Sequence, residues 1–212
     1  MQSTQQPLII LGTNSPRRHA IMNALGARFT IAHPHASEVH YRRDAVRTVR
    51  ENALLKHQWC RARHADEWIV TADTIVEFEG ETIGKPADLA DASRILQSYS
   101  GNAQMVFTAV AMSGPCHGEP EVRIEASSVQ FGRIDERIAL DYLKQAETLD
   151  RAGAYDINTC GESVIVGFSG SYTNIMGLPA EAVRDWLLAQ GYPLPPEARL
   201  PSAPTTLLER RA

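Results

Sequence analysis

The chain has 212 residues, of which 43% are apolar and 22% charged, with a formal net charge of −4. This is ordinary globular composition at the size of one domain. No apolar run approaches the roughly 18 residues of a membrane span, and the acidic balance argues against a general nucleic-acid coat.

Leu8-Ile9-Ile10-Leu11, closed by Gly12, has the pattern of a short buried strand. Asn14-Ser15-Pro16 predicts a helix start, with a capping residue and then proline at the first helical position. That helix is expected to reach about Leu25 and stop at Gly26, with a second strand at Phe29–Ala32. Residues 43–63 read as a long helix. In it Val46, Val49, Ala53, Lys56 and Cys60 recur at spacings of 3, 4, 3 and 4, which places them on one face.

Residues 68–71 read as a strand, continued by 75–78, with a turn at Glu79-Gly80 and a loop at Gly84-Lys85-Pro86. Asp88 predicts a helix cap, with the helix running to about Tyr99. Two strands at 105–112 and 122–131 flank a Gly/Pro-rich turn. Residues 135–146 read as helix, 163–168 as strand, and 179–190 as the last helix. Strands and helices alternate and include a hairpin, which argues for an α/β or α+β protein with a mixed sheet. Residues 1–190 form the predicted single domain. The tail over 191–212 carries five prolines and reads as irregular and mobile.

The charge is unevenly placed. Residues 1–60 hold eight Lys/Arg against three Asp/Glu, and the rest hold thirteen against twenty-two. Only Lys56, Lys85 and Lys144 are lysines among the 21 basic residues. Cys60, Cys116 and Cys160 form no CxxC, so neither a disulfide framework nor a zinc knuckle is indicated. The expectation is a reduced, cytoplasmic, soluble protein.

Four segments have the makings of a site. Gly12-Thr13-Asn14-Ser15-Pro16-Arg17-Arg18 runs from a strand into a helix N-terminus, where backbone N–H groups and the dipole favour an anion. Ser15 adds a hydroxyl, and two arginines in the first turn ask for an anionic partner. The plain alternative is an ordinary capped helix with solvated arginines. Asp73, in Ala72-Asp73-Thr74 after an apolar strand, is a natural Mg²⁺ ligand or general base, or else a turn residue accepting backbone hydrogen bonds. Lys56 on its apolar stripe either snorkels outward or serves a buried anion, and Lys85 sits in a loop of fixed shape. The small-residue loop from Gly170 to Pro179 suits close approach to a ligand or a partner, and equally a plain connection. His33, His35 and His40 cluster around Glu38, but no second group with zinc-ligand spacing accompanies them.

Taken in order, Ser15-Pro16-Arg17-Arg18, Glu38, Lys56, Ala72-Asp73-Thr74, Gly84-Lys85-Pro86, Thr108-Ala109-Val110, Ala152-Gly153-Ala154-Tyr155 and Gly170-Ser171-Tyr172 through Pro179 resemble the Maf family of nucleoside triphosphate pyrophosphatases. The resemblance implies an elongated mixed sheet with flanking helices, two lobes around a nucleotide cleft, and a homodimer. It implies hydrolysis of a nucleoside triphosphate to the monophosphate and pyrophosphate. Asp73 and Glu38 would hold a divalent metal, Mg²⁺ or alternatively Mn²⁺, and orient or deprotonate the water. Lys56, Lys85, Arg17 and Arg18 would neutralise phosphates, and Ser15 would bind one. Arg17 and Thr74 resemble the branch acting on dTTP and UTP. Thr74 and Asn158 would bind the substrate, although Asn158, one methylene shorter, stands where the family has Gln, Thr159 where it has Gly, Ser37 where it has Asp, and Gln104 where it has His. Those departures motivate an alternative, a catalytically weak nucleotide-binding regulatory protein linked to cell division. A nucleic-acid-binding reading lacks an interleaved aromatic platform, since residues 1–60 contain only Phe29, Tyr41 and Trp59. No nucleic acid or membrane partner is expected.

Overall fold

A strand covered on both faces must be apolar on both, and Ile9-Ile10-Leu11 meets that condition with every side chain buried. It opens strand β1 (Ile9–Gly12), the middle of a parallel trio in a computed structural model that describes residues 6–115, 118–146, 148–159, 163–196 and 198–204. The other strands are β2 (Phe29–Ala32), β3 (Trp68–Phe78), β4 (Glu81–Ile83), β5 (Ala103–Ser113), β6 (Glu121–Phe131) and β7 (Ile165–Ser169). Among the described residues they form one seven-stranded sheet in the order β2-β1-β3-β5-β6-β7, with β4 paired to the far end of β3. β1 runs parallel to both its neighbours, and every pairing from β3 onward is antiparallel. The expected mixed sheet is what the chain forms.

The helices are α1 (Pro16–Ala24), α2 (Ala45–Arg61), α3 (Leu89–Ser98), α4 (Glu136–Leu143), the short α5 (Tyr172–Ile175) and α6 (Ala180–Ala189). Aspartates start three of them: Asp44, Asp88 and Asp135 each accept the backbone N–H three residues on, at 2.8–2.9 Å. Alternation along the strands sorts the core into two faces. Ile9, Leu11, Val70, Ala72 and Val76 join α1, α3 and α6 in the main cluster. Ile10, Ile69 and Ile75 turn the other way, toward α2. Val46 departs from the predicted stripe. It is 45% exposed, and the buried face of α2 begins instead at Ala45.

The sequence reading anticipated neither β4 nor α5. The segment after α6 has no helix or strand among its described residues, and two of those residues pack against the body of the protein. Tyr192 is buried and donates its hydroxyl to the carbonyl of Pro7 at 2.7 Å, and Ala203 is buried as well. Cys60 is buried and free, while Cys116, Cys160 and residues 205–212 lie outside the described residues. No helix among the described residues is long and apolar enough to cross a membrane.

His57 is buried on α2 with its ring nitrogen 2.7 Å from the Ser113 hydroxyl. Burial, helped by Arg61, pushes its pKa down to about 4 from the usual 6.5. The unfolded chain therefore takes up this proton first as the pH falls. Stability present above about pH 6.5 is lost as the pH drops toward 4. Urea midpoints measured at pH 7 and pH 5 should fall more steeply for the native chain than for His57→Gln, and equal slopes would contradict this role.

Candidate active site

β1 ends at Gly12, opposite Thr71, whereas β3 runs on to Phe78. Past Gly12 the chain leaves for α1 on one face, while α2 covers the other. A crevice therefore opens at the carboxyl ends of two parallel strands whose connections diverge, the place where open α/β sheets take ligands. A cavity of about 630 Å³ occupies it. Ser15, Arg17, Arg18, Glu38, Lys56, Asp73, Thr74 and Lys85 all line it, although they come from five separate stretches of chain.

Strand alternation aims Asp73 toward α2 and its neighbour Thr74 toward α1. Asp73 is only 8% exposed. Its Oδ1 accepts from Lys56 Nζ at 2.6 Å, and its Oδ2 accepts from Asn52 Nδ2 at 3.1 Å. Lys56 Nζ also reaches Glu38 Oε1 at 2.8 Å, so one ammonium bridges two carboxylates. Asn52 and Lys56 stand one turn apart on α2, which explains how a single helix face serves the same aspartate. Among the described residues no cluster of three or more His, Cys, Asp or Glu is placed to hold a metal ion. A cation directed to this pair must complete its shell with water or with oxygens of a bound ligand.

The two arginines, alike in sequence, differ in the fold. Arg18 is buried, and its guanidinium donates to the carbonyls of Gly177 (2.7 Å) and Ala72 (3.0 Å) and to the hydroxyls of Thr13 and Thr74 (3.0 Å each). It ties the β1–α1 loop, β3 and the loop before α6 to one another. Burial lowers its pKa, opposed chiefly by the nearby Asp73 carboxylate. Arg17 is half-buried, and its Nε donates to the carbonyl of Met176 at 3.2 Å. Neither of its terminal nitrogens bonds a described residue. Among the described residues no side chain caps the first turn of α1 in front of it, which leaves the Ser15 hydroxyl and the turn's amides to a ligand. Lys85 stands exposed at the rim.

The Ala152-Gly153-Ala154-Tyr155 motif has a steric cause. Gly153 has φ of +78°, and a Cβ there would come within 2.9 Å of Val76 and 3.2 Å of the Tyr99 hydroxyl. Tyr155 closes the cavity beside it. Its hydroxyl accepts from the buried Gln104 amide at 2.5 Å, and burial raises its pKa well above the usual tyrosine value. Asn158 is not brought to the cavity wall. It is exposed, its amide bonds Tyr172 and the Asp156 carboxylate, and it does not line the cavity. Ser37 is likewise exposed and away from the cavity. The three histidines diverge: His33 bonds Asn14, His35 meets the Trp59 ring edge-on, and His40 bonds Thr82. Sequence reasoning passed over Asn52, and it named Thr13 within its first candidate segment without giving it a role of its own. Asn52 left one signal, a polar side chain between the apolar Val49 and Ala53 on the face of α2 that the spacing marks as buried.

Residues 8–190 match the family model described as Maf-like protein. A dTTP/UTP pyrophosphatase of Dictyoglomus thermophilum is 34% identical over 88% of this chain and 97% of its own length. The dTTP/UTP pyrophosphatase of Deinococcus radiodurans is 33% identical over 90% and 97%, and that of Myxococcus xanthus 32% over 91% and 97%. Among solved structures, the Ham1 protein of Staphylococcus aureus superposes with a TM-score of 0.52 at 14% identity, over 86% of this chain and 99% of that one. That likeness is one of fold.

Removing the Arg18 guanidinium strands buried acceptors on three segments, so Arg18→Ala should lower folding stability by about 2–4 kcal/mol. Arg17→Ala should keep stability within about 1 kcal/mol and weaken binding of a triphosphate instead. Denaturant titrations of the two variants check this, and equal stability losses would contradict it.

Proposed function

The chain belongs to the Maf family, and from that premise we propose that it is a nucleoside triphosphate pyrophosphatase of the dTTP/UTP kind. A nucleoside triphosphate and water give the monophosphate and pyrophosphate. The observation that carries this reading is the meeting of Asp73, Lys56 and Glu38 in one cavity that the start of α1 with Ser15 and Arg17 also lines.

The chemistry follows from charge. Water attacks the α-phosphorus, the bond from that phosphorus to the bridging oxygen breaks, and negative charge grows on the departing pyrophosphate. Lys56, Lys85, Arg17 and the amides at the start of α1 stabilise that charge from fixed positions, which is where preorganised donors contribute most. Arg18, engaged with protein oxygens, acts here by fixing Thr13, Thr74 and Gly177 around the phosphates. Asp73 orients the water and accepts its proton. Its carboxylate plane is held at both oxygens, so reorientation costs little at the moment of attack.

A divalent ion suits the donor set. Two carboxylates already converge on one cation, the Lys56 ammonium, at 2.6 and 2.8 Å, and hard oxygen ligands select Mg²⁺ or Mn²⁺. Asp73 and Glu38 would hold such an ion, and it would supply Lewis-acid neutralisation of the triphosphate charge. Asn158 does not line the cavity, so selectivity among pyrimidine nucleotides rests on other residues of its wall. The resemblance also carries a homodimer, which sedimentation tests. The free thiol of Cys60 suits a reducing cytoplasmic setting.

Purified protein with Mg²⁺ and a panel of canonical and modified nucleoside triphosphates should release monophosphate and pyrophosphate, fastest with dTTP or UTP. Asp73→Asn should lower kcat by roughly 10²–10⁴-fold. Nucleotide binding without turnover across the panel would replace this reading with a nucleotide-binding regulatory role. Release of single phosphates would move the attack to another phosphorus.

A further inference from the structure

Glu38 presents a problem of placement. Its side chain is 55% exposed, and it sits in the loop between β2 and α2, yet its carboxylate reaches the same ammonium as the buried Asp73. Something must hold that loop against the cavity.

The neighbour of Glu38 supplies the anchor. Val39 donates its N–H to Asn52 Oδ1 at 2.8 Å, and its carbonyl accepts from Asn52 Nδ2 at 3.0 Å. The Asn52 amide thus clamps both polar groups of one residue as a paired strand does. The same Nδ2 donates its other hydrogen to Asp73 Oδ2 at 3.1 Å. Asn52 is 3% exposed, so these three bonds use its donors and its local acceptor with almost no water competing. One rigid amide, planted on α2 a turn before Lys56, therefore sets the distance between the loop carrying Glu38 and the strand carrying Asp73.

We propose that Asn52 is a positioning residue of the divalent-metal site, holding Glu38 and Asp73 at the spacing that lets both ligate one ion. The proposal rests on the assignment of those two carboxylates to a metal, and deepens it by naming what fixes their separation. With both amide hydrogens committed to Val39 and Asp73, Asn52 has no donor left for water or phosphate. It acts through Val39 and through the second oxygen of Asp73. Residues that orient metal ligands in this way change metal affinity or activity by roughly 10–100-fold when removed.

The test is Mn²⁺ binding, followed by electron paramagnetic resonance, to the full chain with and without a non-hydrolysable nucleoside triphosphate analogue. Asn52→Leu, close in volume, should weaken Mn²⁺ about tenfold or more while circular dichroism and the cooperative melt stay native. Glu38→Gln should weaken it similarly in the native background but by less than about threefold once Asn52 is gone, since the carboxylate is then already out of place. Asn52→Ala removes the whole amide, donors and acceptor, without adding a charge beside Asp73. It carries the same expectation, and decides the question if the leucine variant does not fold. Unchanged Mn²⁺ affinity in the folded variants, or losses at Asn52 and Glu38 that multiply in full, would overturn the proposal. If the native chain itself binds no Mn²⁺ with the analogue present, the metal assignment fails first, and that result is distinguishable because it does not depend on Asn52.

Discussion

A carboxylate almost out of contact with water cannot stay charged without partners, and the Asp73–Lys56 pair is the constraint around which the cleft is arranged. Each of the two would be costly to bury alone. The pairing requires α2 to lie across β3 with one particular face down and with Lys56 opposite the point where β1 has already ended. That same placement brings Asn52 onto the second oxygen of Asp73 and draws Glu38 in from its loop. A charge requirement inside the protein thereby fixes the geometry in which an ion and a triphosphate are received.

The other face of the sheet repeats the logic with a different cation. Thr74, next in sequence to Asp73, turns toward α1 and meets Arg18, whose donors also take the carbonyls of Ala72 and Gly177. Gly177 has φ of +107°, a conformation L-residues rarely adopt, and its carbonyl accepts from Arg18 while Thr74 also approaches it at 3.3 Å. Arg18 is thus to the β1–α1 loop and the loop before α6 what Lys56 is to α2 and Glu38. Between the two clamps Arg17, Lys85 and the start of α1 remain to meet a ligand. The positive balance of the first sixty residues divides accordingly: part of it is internal bracing and part faces phosphate.

Much of this was legible in the residues. β2 occupies the expected Phe29–Ala32, Asp88 caps its helix, and the central hairpin lies where alternation places it, because those signals are local. β4 has three residues and α5 four, too short for a period to register, and both exist because a neighbour already stands beside them. Asp73, Lys56 and Glu38 could be named from motif order and from a lysine on an apolar stripe. The difference between Arg17 and Arg18 could not, since the oxygens that capture Arg18 lie 54–159 residues away, apart from Thr13. Asn158 was expected at the nucleotide because its motif places an amide there. Asp156, a residue the motif leaves variable, bonds that amide and the turn's own N–H, and Tyr172 takes the amide oxygen.

The central claim is that water attacks the α-phosphorus under the control of Asp73, with pyrophosphate leaving. Hydrolysis of dTTP or UTP in ¹⁸O-labelled water with Mg²⁺, followed by mass spectrometry of both products, tests it most directly. The account predicts one labelled oxygen in the monophosphate and none in the pyrophosphate. Label appearing in the pyrophosphate would contradict it.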